Sequence, residues 1–257
     1  GTPGLSSNYK LDGGTHTFNV TKKDITFSGS RVYDGTTTVS SSDLVTNDTA
    51  SGETLAFSGS GTVSSANVQN NQSITLGSIT IADGSGGGLA SNYNLTTGTF
   101  DISQKWVSVS GQKIYDATTT VSSSDLNVTG EVTGESISIT GTGSVTDKNV
   151  GSGKTINISG LSLSDGSHSA SNYTIGTTSF AITRRNLSIS GEKVYDGSGT
   201  VLASQIDTVN TAGGETLTIS GEGSVLLPLV GTNKSITLNT LGISNGTNGT
   251  IGLASNY

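Results

Sequence analysis

One pentapeptide constrains this chain more than any other feature. Arg31-Val32-Tyr33-Asp34-Gly35 returns as Lys113-Ile114-Tyr115-Asp116-Ala117 and again as Lys193-Val194-Tyr195-Asp196-Gly197. The tyrosines are separated by 82 and then 80 residues. Recurrence at a fixed period means that one structural unit is used several times. An array of that kind suits reach, stiffness and multivalent contact better than catalysis.

The copies stay in register. Each apolar position from Ile25 to Ile81 maps forward by the same two steps, so no insertion separates the copies in that span. Length varies in a Gly-rich loop before a recurring Ser-Asn-Tyr: eleven residues from Ile81 to Asn92, nine from Leu163 to Asn172, thirteen from Ile243 to Asn256. Confining length change to one loop is what a fold does when its other connections hold strands in register. The reading is a closing segment of a preceding repeat at 1–22, repeat one at 23–104, repeat two at 105–184 and repeat three at 185–257. Ser7-Asn8-Tyr9 and Phe18-Asn19-Val20 match Ser91-Asn92-Tyr93 with Phe100-Asp101-Ile102, and Ser171-Asn172-Tyr173 with Phe180-Ala181-Ile182. Repeat three reaches Ser255-Asn256-Tyr257 and lacks its Phe-x-Ile strand. The chain therefore reads as a slice of a longer polypeptide. Residues 8–20 are expected either to pair with the terminal repeat of another molecule or to lie as an extended lead-in.

Within a repeat the pattern is that of strands. Ile25 and Phe27, Val107 and Val109, Leu187 and Ile189 alternate with polar residues, the period of a strand with one buried face. Thr54-Leu55-Ala56-Phe57-Ser58 repeats the alternation, followed by Gly59 and Gly61, whose counterparts are Gly141 and Gly143, Gly221 and Gly223. Glycines in such a pattern signal a bulge or a close backbone approach. Ile74, Leu76, Ile79 and Ile81 read as a further strand pair. Ser41-Ser42-Asp43-Leu44 reads as one helical turn, because Ser and Asp favour caps and turns. About seven short strands per repeat, with Gly, Asn and Asp turns, are the mark of a sandwich or barrel. The fold expectation is all-β: three tandem small immunoglobulin-like β-sandwich repeats of about 80 residues in a rod. The alternative is small two-layer β-grasp-like units. Only three residues separate Ile102 from Trp106, so the link between repeats is short and extended. Three units in line would then span on the order of 100 Å.

Composition narrows the partners. The chain has 257 residues, 37 of them Gly, no Cys and no Met, with a net charge of −7. An acidic chain argues against nucleic acid and anionic lipid, which attract basic patches. No apolar run is long enough to cross a membrane. The lack of cysteine fits long secreted bacterial surface chains, although it is equally compatible with a reducing compartment.

The recurring polar residues admit few chemistries. Asp34, Asp116, Asp196, Asp83 and Asp165 are calcium candidates, since hard cations take carboxylate oxygens. The competing reading is Asx-turn chemistry for the aspartates and a solvated edge for Glu53, Glu135 and Glu215. No other cofactor is expected. Arg31, Lys113 and Lys193 read as solvated charges or as ion pairs across a junction. Tyr33, Tyr115 and Tyr195, with Asn92, Tyr93, Asn172 and Tyr173, are structural markers, the tyrosines being core or corner residues whose hydroxyls reach the backbone. A sugar-binding aromatic platform is the alternative. His16 and His168 do not recur, which speaks against a metal site or triad. No catalytic residue is expected.

The three turn motifs, together with Asn149-Val150-Gly151-Ser152-Gly153-Lys154, Gly160-Leu161-Ser162-Leu163 and Asn172-Tyr173-Thr174-Ile175, resemble the YDG repeat. That repeat is related to the MBG, mostly-β Gly-rich repeats of filamentous-haemagglutinin-like bacterial surface adhesins. The chain departs from the pattern at Ala117, where the pattern has Gly, so a left-handed backbone is not required there. The resemblance implies a non-enzymatic stalk of an extracellular adhesin on the bacterial surface, supporting adhesion or biofilm formation. Its partners would be neighbouring repeats and a host or matrix ligand. Two other functions remain open: a subunit of an extracellular filament or sheath packed from like chains, and a multivalent carbohydrate- or protein-binding module.

Overall fold

The computed structural model describes residues 4–257. They divide into two compact units, Gly1–Ser103 and Gln104–Tyr257. The first holds repeat one. The second holds repeats two and three together. Among the described residues every helix is a single 3-10 turn, and the rest of the regular structure is strand.

Repeat one is built on a parallel pair. Its opening strand, Lys23–Val32, runs beside its closing strand, Tyr93–Ser103, with Ile25 opposite Leu95 and Gly29 opposite Phe100. Leu44–Thr46 pairs antiparallel on the outer flank of the first and Gln69–Ser73 on the outer flank of the second. Repeat two reproduces this sheet: Lys105–Ile114 lies parallel to Tyr173–Thr183, flanked by Leu126–Thr129 and Gly151–Lys154. A second set of short antiparallel strands carries Leu55, Phe57 and Ile81 in repeat one and Ile137, Ile139 and Leu161 in repeat two. The all-β, small-repeat expectation holds. The opening and closing strands of each complete repeat form a parallel central pair, a direction that strand alternation alone does not specify.

The core is the alternation made solid. Ile25, Phe27, Phe100 and Ile102 are buried in repeat one; Val109, Tyr115, Phe180 and Ile182 join one apolar cluster in repeat two. The closing strand therefore supplies two of the largest core side chains of each complete repeat. Ser41–Asp43 and its counterparts Ser123–Asp125 and Ala203–Gln205 are 3-10 turns, and the Ser40 and Ser122 hydroxyls accept from the N–H of Ser42 and Ser124.

Two local expectations need correction. Ile74 and Leu76 are not in a strand; Thr75 makes only an isolated bridge to Thr62. The strand lies just before, in the polar run Gln69–Ser73. Gln72 is buried there and accepts from the Ser65 N–H at 3.1 Å, so a hydrogen bond replaces the apolar signal. Ala117 does adopt the left-handed backbone, with φ of 65°, as Gly35 and Gly197 do at 78° and 77°. The turn geometry, not the residue type, is what recurs.

Residues 8–20 carry no strand and are exposed throughout. Phe18 is 90% exposed, and Leu11 and Val20 nearly as much.

Candidate functional site at the repeat junction

The recurring polar residues fall into two groups, a clamp and a node. The clamp closes the Tyr-Asp-Gly loop on itself. Lys113 sits under that loop and donates to Asp116 Oδ2 at 3.0 Å, Thr118 O at 3.0 Å and Thr120 O at 2.7 Å. Lys193 does the same with Asp196, Ser198 O and Thr200 O. Arg31 fills the place in repeat one, donating to the carbonyls of Thr36 and Thr38 and pairing with Asp34. These cations are therefore neither free in solvent nor partners across a junction. They cap carbonyls that a left-handed turn leaves pointing inward.

The aspartates complete the clamp. Asp34, Asp116 and Asp196 accept from the N–H two residues on, at 2.9, 2.9 and 2.8 Å, forming Asx turns. Burial opposes the charge on Asp116, but the Lys113 ammonium and the Thr118 N–H and hydroxyl outweigh it and hold the carboxyl below its usual range. For Asp196 the Ser198 N–H and then Lys193 lower it. Asp83 and Asp165 lie elsewhere and accept from the N–H of Ala90 and Ala170, at 2.8 and 2.7 Å. Asn245 does this in repeat three, accepting from Ala254 at 2.9 Å. An acceptor is what the position needs, so Asp and Asn interchange. Among the described residues no three of His, Cys, Asp and Glu gather as ligands for a metal ion.

The node joins repeat two to repeat three. Glu215, only 3% exposed, was expected on a solvated edge and is instead buried at the junction. Its Oε1 accepts from the Tyr115 hydroxyl at 2.7 Å and from Lys148 Nζ at 2.7 Å, both in repeat two. Its Oε2 accepts from Tyr257 at 3.0 Å, in its own repeat. The Tyr257 hydroxyl accepts in turn from the Ala212 N–H at 2.9 Å. The two tyrosine rings meet edge to face, 5.6 Å between centroids. Asn256, fully buried, accepts from the Val150 N–H and donates to Asn149 Oδ1, both at 2.9 Å. A buried carboxylate is costly unless paired and hydrogen-bonded; Glu215 has three donors. Burial works against its charge, yet Lys148, Tyr115 and Tyr257 keep its carboxyl below the ordinary range. Burial, then Glu215, pushes the Tyr115 phenol up.

Half of the node recurs inside every repeat. Tyr93 donates to Glu53 and accepts from the Ala50 N–H at 3.0 Å. Tyr173 donates to Glu135 at 2.5 Å and accepts from the Val132 N–H at 3.1 Å. The hydroxyls of this tyrosine series thus reach the backbone as expected, and also a glutamate that spacing alone did not connect to them. Residues 7–100 and 103–180 match the YDG domain.

The chain belongs to the YDG-domain family. Repeat three lies beyond the matched residues, yet it carries the same turn, clamp and glutamate as the two YDG repeats before it. No match was found among curated proteins or among solved structures. The remaining marked residues sit apart from the node. Trp106 is on the surface, 75% exposed. His16 and His168 are both exposed, on residues Asp12 and Ser167 respectively. Tyr195 is 60% exposed, whereas its counterparts Tyr33 and Tyr115 are buried.

Proposed function

We propose that this array of YDG repeats is a structural stalk of an extracellular bacterial adhesin. It holds a distal binding region away from the cell and so supports adhesion or biofilm formation. The observation that carries this reading is the Glu215 node. A repeat that sends Tyr115 and Lys148 onto the buried carboxylate of the next is docked by side chains as well as by the chain. A flexible Gly/Ser linker would let repeats tumble; a hydrogen-bonded, buried contact resists that motion. The clamps support the same reading, since each loop is tied to the side chains of its own repeat.

The test uses the full polypeptide displayed on cells. Repeats are deleted in number while the distal region is kept, and adhesion to the native surface is measured. A stalk predicts adhesion that falls as repeats are removed and returns when an unrelated stiff repeat of equal length is substituted. If substitution fails to restore adhesion, the repeats themselves contact the ligand, and the multivalent module replaces the stalk.

A further inference from the structure

One sheet face of repeat two differs from its counterpart in repeat one in a directed way. The opening strand Lys105–Ile114 buries Val107 and Val109 and leaves Trp106, Ser108, Ser110 and Gln112 exposed on its other side. Thr177 lies beside Ser108 on one flank, and Asn127 beside Ser110 on the other. None of the exposed positions on these three strands is charged. In repeat one Asp24 stands in place of Trp106, Asp48 in place of Gly130 and Asp101 in place of Ala181. Those carboxylates accept from Asn94, from the Thr26 N–H and from the Asn71 N–H, all within repeat one. Repeat two carries none of the three, in a chain whose net charge is −7.

The chain has one tryptophan, and its seat is built for it. A Cβ at Gly176 would lie 3.2 Å from Trp106 Cβ and 3.4 Å from its ring atoms Cγ and Cε3. The indole therefore rests against the backbone at Gly176, where a larger residue would crowd it. Repeat one has Thr96 at that position. An Asp with a Thr in one copy is thus a Trp with a Gly in the other. The backbone supports the indole, yet most of the side chain stays open to solvent. An aromatic side chain held at the surface is the kind of group that contact surfaces enrich.

We propose that this face of repeat two binds a neutral polysaccharide. A sugar ring stacks on the open side of the Trp106 indole, and sugar hydroxyls bond to Ser108, Ser110, Gln112 and Asn127. The chemistry matches on each count. A pyranose presents a face of C–H groups, whose weakly positive hydrogens suit the negative face of an aromatic ring. Hydroxyl and amide side chains both donate and accept, as sugar hydroxyls do. A charged ligand would look for an opposite charge, and this face offers none. From Trp106 to Gln112 the strand runs about 20 Å, enough for a short stretch of glycan. The site lies wholly within repeat two and does not depend on the stalk reading.

The test titrates the 257-residue chain with cellohexaose, maltohexaose and mannohexaose, and with hexagalacturonate as the acidic counterpart. Trp106 is its own reporter. At least one neutral hexasaccharide should change the tryptophan emission saturably, and calorimetry should give the same affinity. Trp106→Ala should weaken calorimetric binding by at least about tenfold. The thermal melt should not move, because the side chain lies outside the core. Gln112→Ala and Asn127→Ala should each weaken binding by a smaller factor. Failure of all three neutral sugars to bind overturns the proposal. So does binding that survives Trp106→Ala, or hexagalacturonate binding as tightly as the neutral sugars. Self-association that Trp106→Ala abolishes, without sugar binding, would also overturn it and assign the face to a second copy. None of these results touches the stalk reading, which rests on the Glu215 node.

Discussion

Tyr115 and Glu215 stand 100 residues apart in sequence, in different repeats, and share a buried hydrogen bond of 2.7 Å. Each belongs to a series that recurs for its own internal reasons: the tyrosine opens a clamped turn, and the glutamate receives the tyrosine that follows Ser-Asn. The junction forms where the two series meet. One turn motif thereby serves both the interior of its repeat and the contact with the next.

Tyr115→Phe removes one of the three donors to Glu215 while keeping the ring. Loss of a hydrogen bond to a buried charge costs about 1–3 kcal/mol. Tyr195→Phe makes the same change at an exposed site and should cost close to nothing. Denaturant unfolding of the two variants checks the difference.

The junction has a pH window. The Glu215 carboxyl is held below its ordinary 4.5, burial being outweighed by Lys148, Tyr115 and Tyr257. Its contribution is fully present above that ordinary value and is lost as pH falls through the depressed one. Tyr115 and Tyr257 are raised above 10.0 by burial and by Glu215. Their contribution is present below 10.0 and is lost as pH rises through the raised values. Melting followed against pH should show a plateau with an acid fall that Glu215→Gln diminishes.

Glycines with the same backbone should differ in cost. Gly141 and Gly197 have φ of 92° and 77°. A Cβ at Gly141 would lie 2.1 Å from Gly160 O, whereas nothing lies within 4 Å of one at Gly197. Gly197→Ala should cost about 1 kcal/mol, the strain of a left-handed alanine. Gly141→Ala adds overpacking against the backbone and should cost roughly 3 kcal/mol. Ala117, left-handed in the native chain, indicates that this turn tolerates the smaller penalty.

The clamp is testable in isolation. Lys113→Met keeps the stem and deletes the ammonium, leaving the Thr118 and Thr120 carbonyls without that donor and Asp116 with only the Thr118 N–H and hydroxyl. Loss of charge-assisted bonds at a side chain only 7% exposed should cost roughly 2–3 kcal/mol. The Asp116 carboxyl should move up toward its usual range, which carboxylate NMR titration reads.

Much of this was legible in the sequence, and the rest was hidden for physical reasons. The alternation of Ile25 with Phe27 and of Val107 with Val109 marks strands because burial selects side chains directly. Gly59, Gly141 and Gly221 announce close approach because only glycine fits beneath a neighbouring carbonyl. The strand at Gln69–Ser73 escaped because its buried member, Gln72, is polar and its side-chain oxygen accepts from the Ser65 N–H. The burial of Glu215 escaped because a carboxylate beside Gly-Gly looks the same whether it meets water or three donors. Strand direction escaped too: alternation is the same for parallel and antiparallel pairing. The clamp of Lys113 depended on a left-handed turn that Ala117 did not advertise.

Amide hydrogen exchange at Val150 and Ala212 tests the central claim most directly. Their N–H groups lie in different repeats and donate to Asn256 and Tyr257 of the same junction. If the junction is one cooperative contact, both amides exchange slowly, and Glu215→Gln speeds both by the same factor. If Glu215→Gln speeds Ala212 and leaves Val150 unchanged, repeats two and three are not locked together by this carboxylate, and the account fails.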